Sequence, residues 1–124
     1  MSERKKALLV DDDPAVTDYL QIKLGSRYDV VAVNDPTRVV DVARGEHPDV
    51  IVCDIDMPVM DGGAVCRALA QAPDTRDIPF LYLTSIVSRS ESAQLDGVIA
   101  GRPGVSKHAP IGDILARIRA VVGT

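Results

Sequence analysis

One stretch of the chain decides the fold: Val50-Ile51-Val52-Cys53-Asp54-Ile55-Asp56-Met57-Pro58-Val59-Met60-Asp61-Gly62. Its four apolar residues, from Val50 to Cys53, are typical of a β-strand that is covered on both faces. Asp54 follows at once, and Pro58 and Gly62 indicate a turn. We therefore expect a buried strand that presents a carboxylate at its carboxyl end.

A second acidic cluster has the same setting earlier in the chain. Asp11-Asp12-Asp13 directly follows the apolar run Ala7–Val10. If both strands are central and parallel, several carboxylates crowd one edge of one sheet, which is costly unless a cation neutralises them. A divalent metal beside a nucleophilic carboxylate is suited to phosphoryl transfer.

Strand and helix patterns alternate along the whole chain, which predicts an open, mostly parallel α/β sheet with helices on both faces. The predicted strands are Ala7–Val10, Tyr28–Val33, Val50–Cys53, Ile78–Leu83 and a short one around Val105-Ser106. The predicted helices run from Pro14 to Gly25, from Asn34-Asp35-Pro36 to about Ala43 with an end at Gly45, from Gly62 to about Ala72, over Ser88–Asp96 and over Pro110–Val122.

Size and composition indicate one domain over residues 1–124 with an aliphatic core, since 46% of residues are hydrophobic and only 3% aromatic. The net charge of −4 favours neither nucleic acid nor an anionic membrane as a direct partner. Cys53 and Cys66 do not form a disulfide framework, so we expect a reduced, cytoplasmic protein. No signal peptide or membrane-spanning run is visible in the sequence.

Polar groups follow four of the predicted strands, where ligands of such sheets bind. They are Asp11 and Asp12, Asp54, Thr84 and Lys107. Each residue alone is weak evidence, because capping aspartates and surface lysines are common. Their joint position at successive strand ends predicts one site for a phosphate and a metal.

The chemistry of these side chains suggests a role for each. Asp54 is the candidate nucleophile, attacking phosphorus to form an acyl phosphate. Asp11, Asp12 and Asp54, with the backbone carbonyl of Asp56, are candidate ligands of Mg²⁺, which prefers oxygen. Lys107 offers a positive charge and Thr84 a hydroxyl donor for the phosphoryl oxygens.

The chain resembles the receiver domain of bacterial two-component response regulators across essentially its whole length. The resemblance rests on Leu8 to Pro14, on Pro48 to Asp54, on the string Asp-x-x-Met-Pro-x-Met-Asp-Gly from Asp54 to Gly62, on Ile78-Pro79 and Leu83-Thr84-Ser85, and on Lys107. It implies a flavodoxin-like three-layer sandwich, a doubly wound five-stranded parallel sheet of order 2-1-3-4-5 with five helices.

The resemblance also implies a function. Asp54 would be phosphorylated by a phosphohistidine on a histidine kinase or phosphotransfer protein, with Mg²⁺ held in an acidic pocket where Asp12 is the more direct ligand. Thr84 and Lys107 would read the phosphoryl group. Switching would act through the face of the fourth helix, fifth strand and fifth helix, towards an output domain, a downstream protein or a second copy in a homodimer. The chain would be a phosphoacceptor and not a multiple-turnover enzyme.

Two positions depart from the family pattern. Gly104 stands three residues before Lys107, where the family usually has an aromatic, so we expect the signal to leave through backbone changes in Gly97–Gly104. His108 follows Lys107 in place of the usual proline. Because a cis bond without proline costs about 3–4 kcal/mol, we predict a trans Lys107–His108 bond.

Two other readings remain open from the sequence. The altered lysine loop and the absent aromatic suit a degenerate receiver that acts as a binding module. The run from Val50 to Asp56 also fits the Asp-x-Asp start of haloacid-dehalogenase-type phosphohydrolases. That family wants Thr or Val two residues after the second Asp, whereas Pro58 stands there.

Overall fold

The structure is a computed structural model that describes residues 4–55, 57–84, 98–99 and 102–123. Its strands are β1 (Lys6–Val10), β2 (Asp29–Val33), β3 (Val50–Asp54), β4 (Phe80–Thr84), β5 (Val98–Ile99) and β6 (Arg102–Ser106). Its α-helices are α1 (Pro14–Leu24), α2 (Val39–Glu46), α3 (Gly62–Gln71) and α4 (Ile111–Val122), with a 3-10 turn over Pro36–Arg38 before α2.

The sheet confirms the predicted topology. Its parallel strands lie in the order β2-β1-β3-β4-β6, which is the order 2-1-3-4-5 of the predicted strands. The sequence did not predict β5, which extends the sheet beyond β6 by antiparallel pairing of Val98 with Pro103 and Ile99 with Arg102. Two residues are too few for a hydrophobic period to show.

The core has two layers, one on each face of the sheet, as expected for a three-layer sandwich. Side chains alternate along each strand, so β1, β3 and β4 contribute to both layers. One layer packs α2 and α3 on Leu8, Val10, Ile51, Cys53, Phe80 and Tyr82. The other packs α1 and α4 on Ala7, Leu9, Val50, Val52, Leu81 and Leu83.

Helix starts follow the capping chemistry seen in the sequence. Asp13 caps α1 by accepting a hydrogen bond from the Ala15 amide at 3.0 Å, and Pro14 is the first helical residue. Asp61 caps α3 by accepting from the Ala64 amide at 2.8 Å. These caps place both helices directly after the acidic turns.

Some predicted boundaries were wrong, and two of them matter for the helices and strands near the core. Gly45 does not end the second helix, which continues to Glu46 and closes at His47 in the left-handed region (φ 51°). The fourth strand begins at Phe80 and not at Ile78, which lies in the preceding turn. The predicted helix Ser88–Asp96 lies outside the described residues. None of the described helices is long and apolar enough to cross a membrane.

Candidate functional site

The acidic site lies at the carboxyl ends of β1 and β3. The two strands are parallel neighbours, and Val10 pairs with Cys53, so Asp11 and Asp54 leave the sheet side by side. Both are almost fully buried, at 2% and 3% exposure, while Asp12 is exposed. Carboxylate oxygens of Asp11, Asp12 and Asp54 lie within 4.8 Å of one another. The structure thus brings together the three predicted carboxylates.

Lys107 reaches the same cluster from the end of β6. Its Nζ lies 3.2 Å from Oδ2 of Asp11 and 3.4 Å from Oδ1 of Asp54. The backbone helps to place it, because the Lys107 amide donates to the carbonyl of Thr84 at 2.9 Å. The ammonium therefore neutralises part of the negative charge that the two buried carboxylates create.

Burial and charge act in opposite directions on these groups. Burial raises the pKa of Asp11 above its ordinary value, and the Asp13 amide and the Lys107 ammonium offset this only in part. For Lys107, burial lowers the pKa, but the hydrogen bond and charge of Asp11, together with Asp54, outweigh it and raise the pKa overall. Lys107 therefore stays charged beside the two buried carboxylates.

The structure describes the position of Thr84 but not that of Asp56. Thr84 is buried at the end of β4 and pairs with Ser106 of β6, so it belongs to the same edge of the sheet. Its carbonyl holds Lys107, as described above. Asp56 lies outside the described residues, so the role of its carbonyl as a metal ligand stays a prediction.

A tight turn follows Asp54 and requires glycine at position 62. The Gly62 amide donates to the carbonyl of Ile55 at 2.9 Å. A Cβ at Gly62 would lie 2.5 Å from the Asp54 carbonyl oxygen and 2.9 Å from Cα of Ile55. The start of α3 therefore rests directly on the backbone that carries Asp54.

The two departures from the family pattern have clear places in the structure. Gly104 is buried in β6 and pairs with Tyr82 of β4. No peptide bond between described residues is cis, so the Lys107–His108 bond is trans as predicted. Ser106 closes the turn by accepting from the His108 amide through Oγ and from the Ala109 amide through its carbonyl. Lys107 meets the carboxylates although proline is absent.

Sequence reasoning missed Asn34 as a residue of the site. Its side chain donates to the carbonyl of Asp11 at 2.8 Å and to Oγ1 of Thr17 at 3.1 Å. The sequence interpretation assigned Asn34 to the start of a helix. Its position directly after the second strand, at the same edge as the other strand ends, was a signal that could have identified it.

The donor set fits a hard divalent cation. Three carboxylates supply the oxygen ligands that Mg²⁺ prefers, and Asp12 leaves the cluster open to solvent, where water ligands can be kept. The pKa of Asp11 is raised mainly by burial, and a bound cation would offset the cost of holding this carboxylate ionised.

Comparison with known proteins agrees with this geometry. The family model described as the response regulator receiver domain matches residues 7–119. The chain belongs to the response regulator receiver domain family. Receiver domains are the signal-accepting units of two-component signal transduction and are not multiple-turnover enzymes in the usual sense.

Similar proteins include full-length regulators. The DNA-binding dual master transcriptional regulator RpaA of Synechocystis sp. is 34% identical over 119 residues, which are 94% of this chain and 48% of that protein. The chain spans about half the length of the curated relatives that it matches first. The receiver domain is therefore the part that they share with it.

Solved structures show the same fold. A response regulator from Chloroflexus aurantiacus superposes with a TM-score of 0.82 and 27% identity, covering 98% of this chain and 100% of that one. The receiver domain of the sensor histidine kinase PA1611 from Pseudomonas aeruginosa, crystallised with a magnesium ion in its active-site cleft, has a TM-score of 0.80 and 22% identity. It covers 98% of this chain and 99% of its own.

Proposed function

We propose that this receiver domain accepts a phosphoryl group on Asp54 from a phosphohistidine. The observation that carries the proposal is the convergence of Asp11, Asp12 and Asp54 with the ammonium of Lys107 at one edge of the sheet. A buried carboxylate next to two other carboxylates and one lysine has little structural purpose of its own, because its burial costs free energy.

The transfer step balances without any further reactant. An oxygen of Asp54 attacks phosphorus, an O–P bond forms, and the P–N bond to the donor imidazole breaks. The electron pair of that bond goes to the imidazole nitrogen, which takes up a proton from solvent. Lys107 faces the carboxylate that reacts, so its charge is in place to stabilise the phosphoryl oxygens. Thr84 would donate its hydroxyl to one of them.

Mg²⁺ is the cofactor we assign to the acidic cluster, with Asp11, Asp12, Asp54 and the Asp56 carbonyl as the residues that would hold it. When bound, the ion supplies charge that screens the carboxylates from the incoming phosphoryl group. The related fold of the PA1611 receiver domain, which is described with magnesium in its cleft, supports this choice.

The partners follow from the same assignment. The phosphodonor is a histidine kinase or histidine phosphotransfer protein in the cytoplasm. The output is an attached domain, a downstream protein or a homodimer formed through the face that includes β6 and α4. An attached output domain is supported by the curated relatives, which are about twice as long as this chain. The receiver itself, with a net charge of −4, would not contact nucleic acid.

A direct test uses acetyl phosphate as donor and intact mass as the measurement. With Mg²⁺, we expect the wild type to gain one phosphoryl group, and Asp54→Ala to gain none. Asp77→Ala is the matched control, because Asp77 is an exposed aspartate that pairs with Arg76 and lies remote in sequence from the cluster. Phosphorylation of Asp54→Ala to the wild-type level would overturn the assignment of the acceptor.

The same measurement tests the reading as a degenerate receiver, and an assay of phosphate release tests the reading as a phosphohydrolase. A degenerate receiver would gain no phosphoryl group in any variant, and the contacts of Lys107 with both carboxylates speak against it. A phosphohydrolase would release phosphate from a phosphomonoester through many turnovers and lose this activity in Asp56→Asn.

A further inference from the structure

We propose that Asn34 is a positioning residue of the metal site, which holds the turn between β1 and α1 so that Asp11 and Asp12 face a shared cation. The inference rests on the proposed binding of Mg²⁺ and adds a residue that touches neither metal nor phosphate. Asn34 follows β2, which lies beside β1 on the side away from Asp54.

The hydrogen bonds of Asn34 define the orientation of its side chain. Nδ2 donates to the Asp11 carbonyl at 2.8 Å and to Thr17 Oγ1 at 3.1 Å. A carbonyl oxygen only accepts, so the amide nitrogen must face it. Thr17 Oγ1 donates its own hydrogen to the Pro14 carbonyl at 3.1 Å and is left as an acceptor for Asn34. Both amide hydrogens of Asn34 are therefore used, one on the acidic turn and one on α1.

Further bonds fix the same turn from its other sides. The Asp11 amide donates to the Val33 carbonyl at 3.2 Å, which ties the end of β1 to the end of β2. The Asp13 amide donates to Oδ1 of Asp11 at 2.9 Å. Asp12 thus lies between Asp11 and Asp13, whose positions these bonds fix. Asn34 supplies the bond from outside the turn to the Asp11 carbonyl, which belongs to the peptide group between Asp11 and Asp12.

The expected consequence is an effect on metal affinity and not on the transfer step. Partners that orient metal ligands without touching the metal typically change affinity by about 10–100-fold when removed. Asn34 has no contact with Lys107 or Asp54 among the hydrogen bonds of the described residues. At saturating Mg²⁺ the reacting groups would therefore be in place without it.

The test measures Mg²⁺ binding to the unphosphorylated protein by calorimetry, comparing wild type with Asn34→Ala. We expect about tenfold weaker binding in the variant, with a phosphorylation rate from acetyl phosphate close to wild type at saturating Mg²⁺. In the metal-free variant, hydrogen exchange of the Asp13 amide should be faster, which reports the loosened turn without any activity. Thr17→Val, which removes the acceptor and keeps the side-chain shape, should weaken binding in the same direction and carries the test if Asn34→Ala fails to fold.

Thr37→Val is the matched control. Thr37 makes a comparable local bond, to Oδ1 of Asp35 at 2.7 Å, in the 3-10 turn that begins just after Asn34 and Asp35. Its loss should leave Mg²⁺ affinity unchanged. If the wild type binds Mg²⁺ and Asn34→Ala and Thr17→Val bind it equally well, the positioning role is wrong while the proposed function stands. If the wild type itself binds no Mg²⁺, the proposed metal site fails and this role fails with it.

Discussion

At the scale of single residues, the site is a balance between burial and charge. Asp11 and Asp54 are nearly inaccessible to water, and one lysine faces both of them. Ionised groups in such a place destabilise the fold unless each finds a partner. Because the raised pKa of Asp11 shows that its partners do not fully compensate burial, this residue costs stability in the metal-free protein.

Neutralising Asp11 should therefore stabilise the metal-free fold. A folded-state pKa above the unfolded value favours folding at low pH, and this contribution is lost as pH rises through the folded pKa. At pH 7 in EDTA, Asp11→Asn should have a higher free energy of unfolding than wild type, because the variant carries no charge to bury at this position. Urea denaturation measures it.

The pH dependence of this stability difference tests whether the charge of Asp11 causes it. Below the unfolded pKa of Asp11, 3.8, both proteins carry a neutral side chain at this position, so their difference in stability should shrink as the pH falls towards that value. The variant should also bind Mg²⁺ more weakly. If the metal-free wild type is more stable than Asp11→Asn at pH 7, the ion pair between Asp11 and Lys107 contributes more stability than burial of the carboxylate costs.

At the scale of elements, strand ends and helix starts meet at very short range. The edge of the sheet works as a site because β3 delivers Asp54 and α3 begins against the same backbone. Turns of this kind leave no room for a side chain, and glycine is then required by sterics. At Gly45 and Gly112, by contrast, a Cβ would meet open space, so sterics do not require glycine there.

Substitution of Gly62 should separate these two kinds of glycine. Gly62→Ala would force a Cβ against the carbonyl of Asp54, and we expect a loss of about 1–3 kcal/mol in the free energy of unfolding. Phosphorylation of Asp54 should slow as well, because its backbone must shift. At Gly112 in α4, an added Cβ would meet no atom within 4 Å. Gly112→Ala should therefore raise the free energy of unfolding by about 0.5–1 kcal/mol. Equal changes in the free energy of unfolding for Gly62→Ala and Gly112→Ala would contradict the steric argument.

At the end of α2, substitution by glycine should stabilise the fold, in contrast to the loss expected when Gly62 is replaced. His47 has a positive φ, a region that costs a residue with a Cβ about 1–2 kcal/mol. His47→Gly removes this cost but loosens the unfolded chain, so we expect a net gain of about 0.5–1 kcal/mol in thermal or urea unfolding. Gly45→Ala, inside the helix, should also stabilise. If Gly45→Ala destabilises the protein, the sequence prediction that the helix ends at Gly45 would be favoured again.

At the scale of the whole molecule, one sheet joins both layers of the core to the acidic edge. β1 and β3 each carry residues of both core layers and end in the carboxylates of the site. Binding at that edge is therefore coupled to the stability of the entire sandwich and not of one helix. A ligand that binds only the folded state stabilises it by about 2.7 kcal/mol at a hundred times its Kd.

Mg²⁺ should thus raise the Tm of the domain in a single transition. The increase should grow with concentration in the wild type and be largely lost in Asp12→Ala, because Asp12 is the exposed one of the proposed ligands and its removal disturbs the core least. Asp18→Ala, an exposed aspartate of α1, is the control and should keep the full increase. Differential scanning calorimetry measures both, and a second transition would contradict a single domain over residues 1–124.

The sequence alone predicted the five parallel strands and the polar residues that follow four of them, because hydrophobic period and the polar residue after each run are local properties. The strand order came from the resemblance to a known family, and the roles of the strand-end residues stay predictions. Asp11, Asp12, Asp54 and Lys107 could be named in this way. The tertiary structure decided which groups touch: the contact of Lys107 with two carboxylates, the bonds of Asn34 across the acidic turn, and the close approach at Gly62. Such contacts join residues far apart in sequence, and their distances depend on how strands and helices pack, which no local pattern records.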